Sequence, residues 1–172
     1  MSIAFLASLD NDYKIISLLR RQKEGKNMKN QMTQLLLTLE DASTCLSRKV
    51  GAVITSKDNI ILGLGYNGAP DSLESCLDRG FCIRKQNNIK SGECLDMCRA
   101  VHAEERAILD ITKNGIPHRL YVSCMPCARC TKLLIEFGIK EIIAYGEYNS
   151  EYTKQLLDEA NVRYIIIKEG EE

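Results

Sequence analysis

The apolar positions of the chain follow two periods that alternate along its length. Met32, Leu35, Leu36, Leu39, Ala42 and Leu46 recur at helical spacing, which predicts an amphipathic helix over residues 31–47. Two apolar runs follow at residues 50–55 and 60–67, separated by the polar triplet Lys57-Asp58-Asn59. They predict a β-hairpin. Helical spacing returns from Cys98 through Val101, Ala103, Ala107, Ile108 and Ile111, with Asn114-Gly115 as a stop. Strands are then predicted at 119–123, 141–145 and 162–167. Between them lie a helix opened by Pro126 and closed at Gly138, and another carrying Tyr152, Leu156, Leu157 and Ala160. Strands alternating with helices imply parallel pairing through right-handed crossovers. Joined to the hairpin, they predict an α/β fold on a mixed five-stranded sheet with helices on both faces.

Two stretches stand outside this rhythm. Ile15, Ile16, Leu18 and Leu19 predict a short helix, followed by a polar break at residues 23–30. Residues 1–30 are therefore read as an N-terminal helical extension, packed on the domain or on a neighbouring subunit, ahead of a domain at 31–172. The second stretch is an insertion at about residues 68–98 with little periodicity. A segment of roughly thirty irregular residues inside a compact domain is usually functional. It holds Cys76, Cys82 and Cys94, with Cys98 at its exit.

Composition narrows the function classes. With 45% hydrophobic and 27% charged residues the chain buries a real core, which excludes a disordered polypeptide. Lys+Arg and Asp+Glu are 23 each, so the formal net charge is zero. That balance argues against a nucleic-acid partner held through phosphates and for a small-molecule substrate. No apolar run is long enough to predict a membrane span. The apolar start of the chain has no preceding basic residues and runs into Asp10, Asn11 and Asp12, which is not a secretory pattern. The expected location is the cytoplasm. There, eight cysteines point to metal binding or catalysis before disulfides.

The chemistry concentrates in two short motifs. His102-Ala103-Glu104 opens one predicted helix, and Pro126-Cys127-Ala128-Arg129-Cys130 opens another. A lone C-x-x-C is weak evidence, and a lone histidine is more often a satisfied, partly buried side chain. The pair together, each at a helix start, matches the H-x-E and P-C-x-x-C signature of zinc nucleobase deaminases. Cys127 and Cys130 share a helix face, and a helix N-terminus favours the thiolate form that binds metal. His102 would complete three zinc ligands, leaving the fourth tetrahedral position to water. Glu104 is then the expected catalytic proton shuttle, taking the water proton and passing it to a ring nitrogen and the departing ammonia.

From about residue 38 to residue 168 the chain resembles the cytidine deaminase superfamily, and within it the deoxycytidylate (dCMP) deaminases. The resemblance is carried by Cys45-Leu46-Ser47-Arg48-Lys49-Val50-Gly51-Ala52-Val53-Ile54 and by Gly65-Tyr66-Asn67-Gly68-Ala69-Pro70. Cys98-Arg99-Ala100-Val101-His102-Ala103-Glu104-Glu105 and the Pro126-to-Cys130 motif complete it. It implies a three-layer α/β/α sandwich and zinc-dependent hydrolysis of dCMP to dUMP and ammonia, supplying thymidylate synthesis. It also implies a homo-oligomer, often a hexamer, with dCTP and dTTP as effectors accompanied by Mg²⁺. Asn67 matches the asparagine that hydrogen-bonds the substrate's sugar; the plainer reading is a turn residue.

Five further cysteines are candidates for a second, structural zinc. Cys45 and Cys98 match positions that are often ligands in the family, Cys76 and Cys82 come next, and Cys94 is the alternate. Otherwise they are free thiols packed as small hydrophobes. Arg48 and Lys49 lie where a substrate phosphate would sit, though solvated charge explains them equally well. Tyr145 and Tyr148, at a strand end, are expected at the pocket mouth. Cys124 is expected to pack near the site, and His118 at the surface. Two alternatives remain: a tRNA adenosine deaminase, disfavoured by the balanced charge, and a non-catalytic nucleotide-sensing module, disfavoured by an intact Glu104.

Overall fold

The computed structural model describes residues 28–90, 92–112, 114–148 and 151–167. The predicted extension lies outside the described residues except for residues 28–30, which belong to the first helix. In chain order the elements are α1 (Met28–Ala42), β1 (Gly51–Thr55), β2 (Ile61–Tyr66), α2 (Cys76–Arg79), α3 (Ile83–Gln86) and a 3₁₀ turn (Leu95–Met97). They continue with α4 (Ala103–Leu109), β3 (Arg119–Val122), α5 (Ala128–Glu136), β4 (Glu141–Ala144), α6 (Glu151–Glu159) and β5 (Arg163–Ile166). The sheet order is β2-β1-β3-β4-β5. β1 pairs antiparallel with β2 and β3, while β3, β4 and β5 run parallel. This is the predicted mixed five-stranded α/β/α sandwich. Among the described residues no helix is long and apolar enough to cross a membrane.

The two-residue alternation of the strands builds the two cores. Val53 and Tyr121 face α1, where Met32, Leu35, Leu36 and Leu39 are buried. Ala52, Ile54, Leu120, Val122, Ile142 and Ala144 face the other way, against Ala103 and Ala107 of α4, Leu134 of α5 and Leu157 of α6. At the starts of the parallel strands the buried Glu141 is paired with Arg119, and Arg163 approaches it at 3.3 Å.

Three elements differ from expectation, each because a tertiary partner competes for the chain. The first helix stops at Ala42 and not at residue 47, because the buried Ser43 turns its hydroxyl to Asn67. The helix expected from Cys98 begins only at Ala103, because Val101 pairs with Gly68 as an isolated bridge. It ends at Leu109, and the Asp110 carboxylate that follows accepts a hydrogen bond from Leu64 N–H at 2.9 Å. The insertion is also less irregular than its sequence suggests. Ser75 and Asp78 form a capping box that starts α2, and Gly80 closes it in the left-handed conformation (φ 70°).

Helix α4 sits on β2 at backbone contact. A Cβ on Gly65 would stand 2.1 Å from the Ala103 carbonyl oxygen and 2.5 Å from the Ala107 nitrogen. One on Gly63 would stand 2.1 Å from the Ala107 carbonyl oxygen. The obstacles are backbone atoms and cannot swing aside. Gly65→Ala is therefore expected to cost at least the roughly 1–3 kcal/mol of ordinary overpacking. Urea unfolding checks this; a midpoint equal to that of the parent protein would show that α4 lifts freely from the strand.

Candidate active site

Two helix starts converge at the C-terminal end of β3. His102 and Cys127 are the N-caps of α4 and α5, both with extended backbone (φ −72°, ψ 154° and φ −72°, ψ 163°). Glu105 ties the two helix starts together. One carboxylate oxygen accepts the His102 backbone N–H at 3.0 Å, and the other meets Arg129 of α5 at 2.8 Å. The chain leading into α5 is pinned as well: Ser123 N–H donates to Gly51 O and Met125 N–H to Gly146 O.

This brings His102, Cys127 and Cys130 together. Their ligand atoms all lie within 4.8 Å of one another, with His102 Nδ1 at 3.6 Å from Cys127 Sγ and 3.3 Å from Cys130 Sγ. Tetrahedral zinc with its usual bond lengths holds nitrogen and sulfur ligands about 3.6 Å apart. The donor set therefore fits zinc in both chemistry and spacing. Hydrogen bonds from Cys130, and then His102, hold the Cys127 thiol down at about 4. The same contact with Cys127, together with burial, pushes Cys130 up. The hydrogen bond to Cys127 raises His102. These contacts favour the thiolate of Cys127, which is the form that ligates metal.

Glu104 follows on the first turn of α4 and is buried, at 5% exposure. Desolvation raises its carboxyl to about 7, which lets it both release and accept a proton near neutrality. It lines a cavity of about 300 Å³ together with His102, Cys127, Asn67, Arg48 and Tyr148. That is the lower end of the size range of small-ligand sites.

Asn67 is more committed than a free ligand-binding amide. Its Oδ1 accepts from the Ser43 hydroxyl at 2.7 Å and from Val50 N–H at 2.8 Å. Its Nδ2 donates to Arg48 O at 2.7 Å. These contacts fix which end of the amide is which and leave one N–H for the cavity. The loop beyond it is held by Arg106, whose Nη2 donates to Gly68 O and Ala69 O while its guanidinium lies 4.8 Å from the centroid of the Tyr66 ring.

The other expected residues separate. Arg48 lines the cavity, with Nη1 3.1 Å from Cys124 Sγ, whereas Lys49 is exposed and not among the lining residues. Cys124 packs at the site as expected. Tyr148 lines the cavity, but Tyr145 packs in the other core with α1, because strand alternation sends it to the opposite face from Ala144. His118 is half-buried at the strand starts, far along β3 from the helix openings, with its backbone bonded to Thr55 and Lys140.

Cys45, Cys76, Cys82 and Cys98 line the same cavity. The Cys76 thiol is raised by burial and then by its neighbours Cys82, Cys45 and Cys98. They do not, however, close to the mutual 4.8 Å spacing reached by His102, Cys127 and Cys130. Cys94 is exposed, with a left-handed backbone, and lies outside the lining. Sequence reading passed over Arg84 and Gly92, which also line the cavity. No local period marks them; only the folded insertion brings them there.

Comparison with known proteins agrees with this geometry. Residues 26–146 match the family model described as the cytidine and deoxycytidylate deaminase zinc-binding region. A deoxycytidylate deaminase of Schizosaccharomyces pombe is 34% identical over 124 residues, covering 70% of this chain and 38% of the relative. ComE operon protein 2 of Bacillus subtilis is also 34% identical over 124 residues, covering 70% of this chain and 60% of the relative. The chain thus spans less than two thirds of either. The deoxycytidylate deaminase of Mycobacterium phage D29 is 36% identical over 107 residues, covering 59% of this chain and 80% of the relative. The fold is similar to that of the dCMP deaminase from cyanophage S-TIM5 in complex with dCMP and dUMP. Its TM-score is 0.63 at 19% identity, over 83% of this chain and 100% of that one. With the match running from the first helix through both motifs and past β4, the chain belongs to the cytidine and deoxycytidylate deaminase family.

Proposed function

We propose that this protein is a zinc-dependent deaminase that converts dCMP and water to dUMP and ammonia. The observation that carries the reading is the His102, Cys127 and Cys130 triad beside a buried carboxylate, Glu104, at one cavity. Family membership narrows the chemistry to cytosine deamination. The dCMP activity named for the relatives narrows the substrate to a 5′-phosphorylated deoxynucleotide.

His102 Nδ1 and the two thiolate sulfurs of Cys127 and Cys130 would hold the metal. Zinc bound there supplies the Lewis acidity that makes water nucleophilic at neutral pH. The Glu104 carboxylate would take one proton from the attacking water and pass it to the ring nitrogen N3, then take the second from the new hydroxyl at C4 and pass it to the exocyclic amino group, which leaves as ammonia. One carboxyl serves each transfer because burial places its affinity for protons near the middle of the working range. Asn67 would offer its remaining N–H to the sugar, and Tyr148 lines the cavity from the loop after β4.

The same reading extends to a second, structural zinc on Cys45, Cys76, Cys82 and Cys98. The crowding around Cys76 supports it, and the four thiols must draw closer than they stand here. It extends further to a cytoplasmic homo-oligomer, hexameric by family resemblance, that supplies dUMP for thymidylate synthesis and answers to dCTP and dTTP with Mg²⁺.

Three measurements test these statements. Ammonia release should be faster from dCMP than from deoxycytidine. Loss of one charge-assisted phosphate contact lowers kcat/KM by roughly tenfold to a hundredfold. Equal kcat/KM would point to a nucleoside deaminase, and release only from a tRNA anticodon stem-loop would point to the adenosine enzyme. Running the panel with and without dCTP reads the effector response. Glu104→Gln should keep the fold and the zinc and lose at least the 10²–10⁴-fold typical of a general acid–base group. Activity within tenfold of the parent protein would remove Glu104 from that role. Metal analysis should find about two zinc ions per chain, and Cys127→Ser should lose one. A parent value near one would remove the second site, and unchanged zinc in Cys127→Ser would remove the first.

A further inference from the structure

The cysteine-bearing insertion brings to the cavity a residue that neither the motifs nor the mechanism uses. Arg84 stands on α3, two residues after Cys82, and lines the cavity with Glu104, His102 and Asn67. Its Nη2 donates to Lys90 O at 2.7 Å, which fixes the guanidinium within the insertion. Its Nε is buried without a partner. Neither Arg84 nor Arg48, the other cation of the lining, forms an ion pair with a described carboxylate. The lining contains one carboxyl group, Glu104, which is buried and committed to proton transfer.

An arginine that is partly buried, anchored and unpaired is costly unless an acceptor completes it. Surface arginines find water. Arg84 is held at the wall of a cavity that Arg48 also lines, so the lining carries two guanidinium charges and no ion-paired carboxylate to neutralise them. A guanidinium keeps a flat fork of donors that matches two oxygens of a phosphate. Lys49, the other cation near Arg48 in sequence, is exposed and absent from the lining.

We propose that Arg84 is the specificity-determining residue that distinguishes a 5′-nucleotide from the corresponding nucleoside, by pairing with its phosphate from the insertion side of the cavity while Arg48 flanks it. This rests on the reading of the cavity as a nucleotide site, and it goes beyond that reading in assigning phosphate selectivity to the insertion. The sugar and base are held by other elements, so losing Arg84 penalises the nucleotide alone.

Calorimetric binding of dUMP and of deoxyuridine to the zinc-loaded full chain tests the assignment without requiring turnover. The parent protein should prefer dUMP. Arg84→Gln should weaken dUMP by roughly tenfold to a hundredfold and leave deoxyuridine unchanged. Arg84→Lys, which keeps the charge and loses the fork, should recover part of the loss and carries the test if the glutamine variant does not fold. An equal fall for both ligands would reduce Arg84 to a structural role, and no change in dUMP affinity would hand the phosphate to Arg48. A parent protein that does not distinguish the two ligands would also overturn the proposal, even if it releases ammonia. Selective dUMP binding through Arg84 without ammonia release from dCMP would overturn the deaminase reading and leave this one standing.

Discussion

Two glycines on β2 let the backbone of α4 come to contact with the strand, and the positions of His102 and Glu104 follow from that seating. Any side chain at Gly65 would meet the Ala103 carbonyl, one residue after His102 and one before Glu104. The helix is short, so the placement of its first turn is set by what it rests on and by what ties its start. Glu105 supplies the tie by binding the His102 N–H and Arg129 of α5 at once. The sheet therefore sets the height of α4, and Glu105 sets its distance from the cysteine-bearing helix. Three donor atoms, two from the start of α5 and one from the start of α4, thus reach metal spacing.

That placement puts groups in places they would not choose for stability. Glu104 is almost wholly buried and its ionised form is disfavoured there. The molecule offsets this with large apolar cores on both faces of the sheet and with polar side chains anchored by several hydrogen bonds near the site. The Asn67 amide is one of these. With Ser43, Val50 and Arg48 all bonded to it, it joins the end of α1 and the entry of β1 to the end of β2. An amide locked in this way keeps its free N–H aimed without any rearrangement when a ligand arrives, which is the preorganisation that binding affinity depends on.

The parts of this arrangement that are local in sequence were legible before the structure. β-branched runs and helical spacing gave the element order, and H-x-E with P-C-x-x-C gave the grouping of His102, Cys127 and Cys130. Where reading by period failed, a distant side chain had intervened. Ser43 ends α1 early because its hydroxyl answers Asn67, and Val101 stays extended because Gly68 pairs with it. Neither contact leaves a trace in the spacing of apolar residues. Tyr145 was misplaced for a different reason: a strand-end tyrosine can face either side of the sheet, and only the register of β4 decides. Arg84 on α3 and Gly92 in the loop after it reach the cavity only because the insertion folds back over it, whereas Tyr148 stands at the cavity as its strand-end position predicts.

The insertion explains how those residues reach the cavity. Its helices α2 and α3 are four residues each, too short to be stable alone. Its order draws on the capping box at Ser75, on Arg84 holding Lys90 O, on Lys85 donating to Leu46 O, and on Gly92, where a Cβ would stand 2.5 Å from the Tyr148 hydroxyl. The same segment supplies Cys76, Cys82, Arg84, Gly92, Leu95 and Cys98 to the cavity wall. Ordering the wall and filling the cavity therefore draw on one set of contacts. Were the proposed metal to gather the four thiols and the proposed ligand to pair with the arginine, both would favour the ordered wall, and linkage would then require each to strengthen the other by the same factor. A regular element of the sheet would not show this coupling, because its order is already set by the two cores.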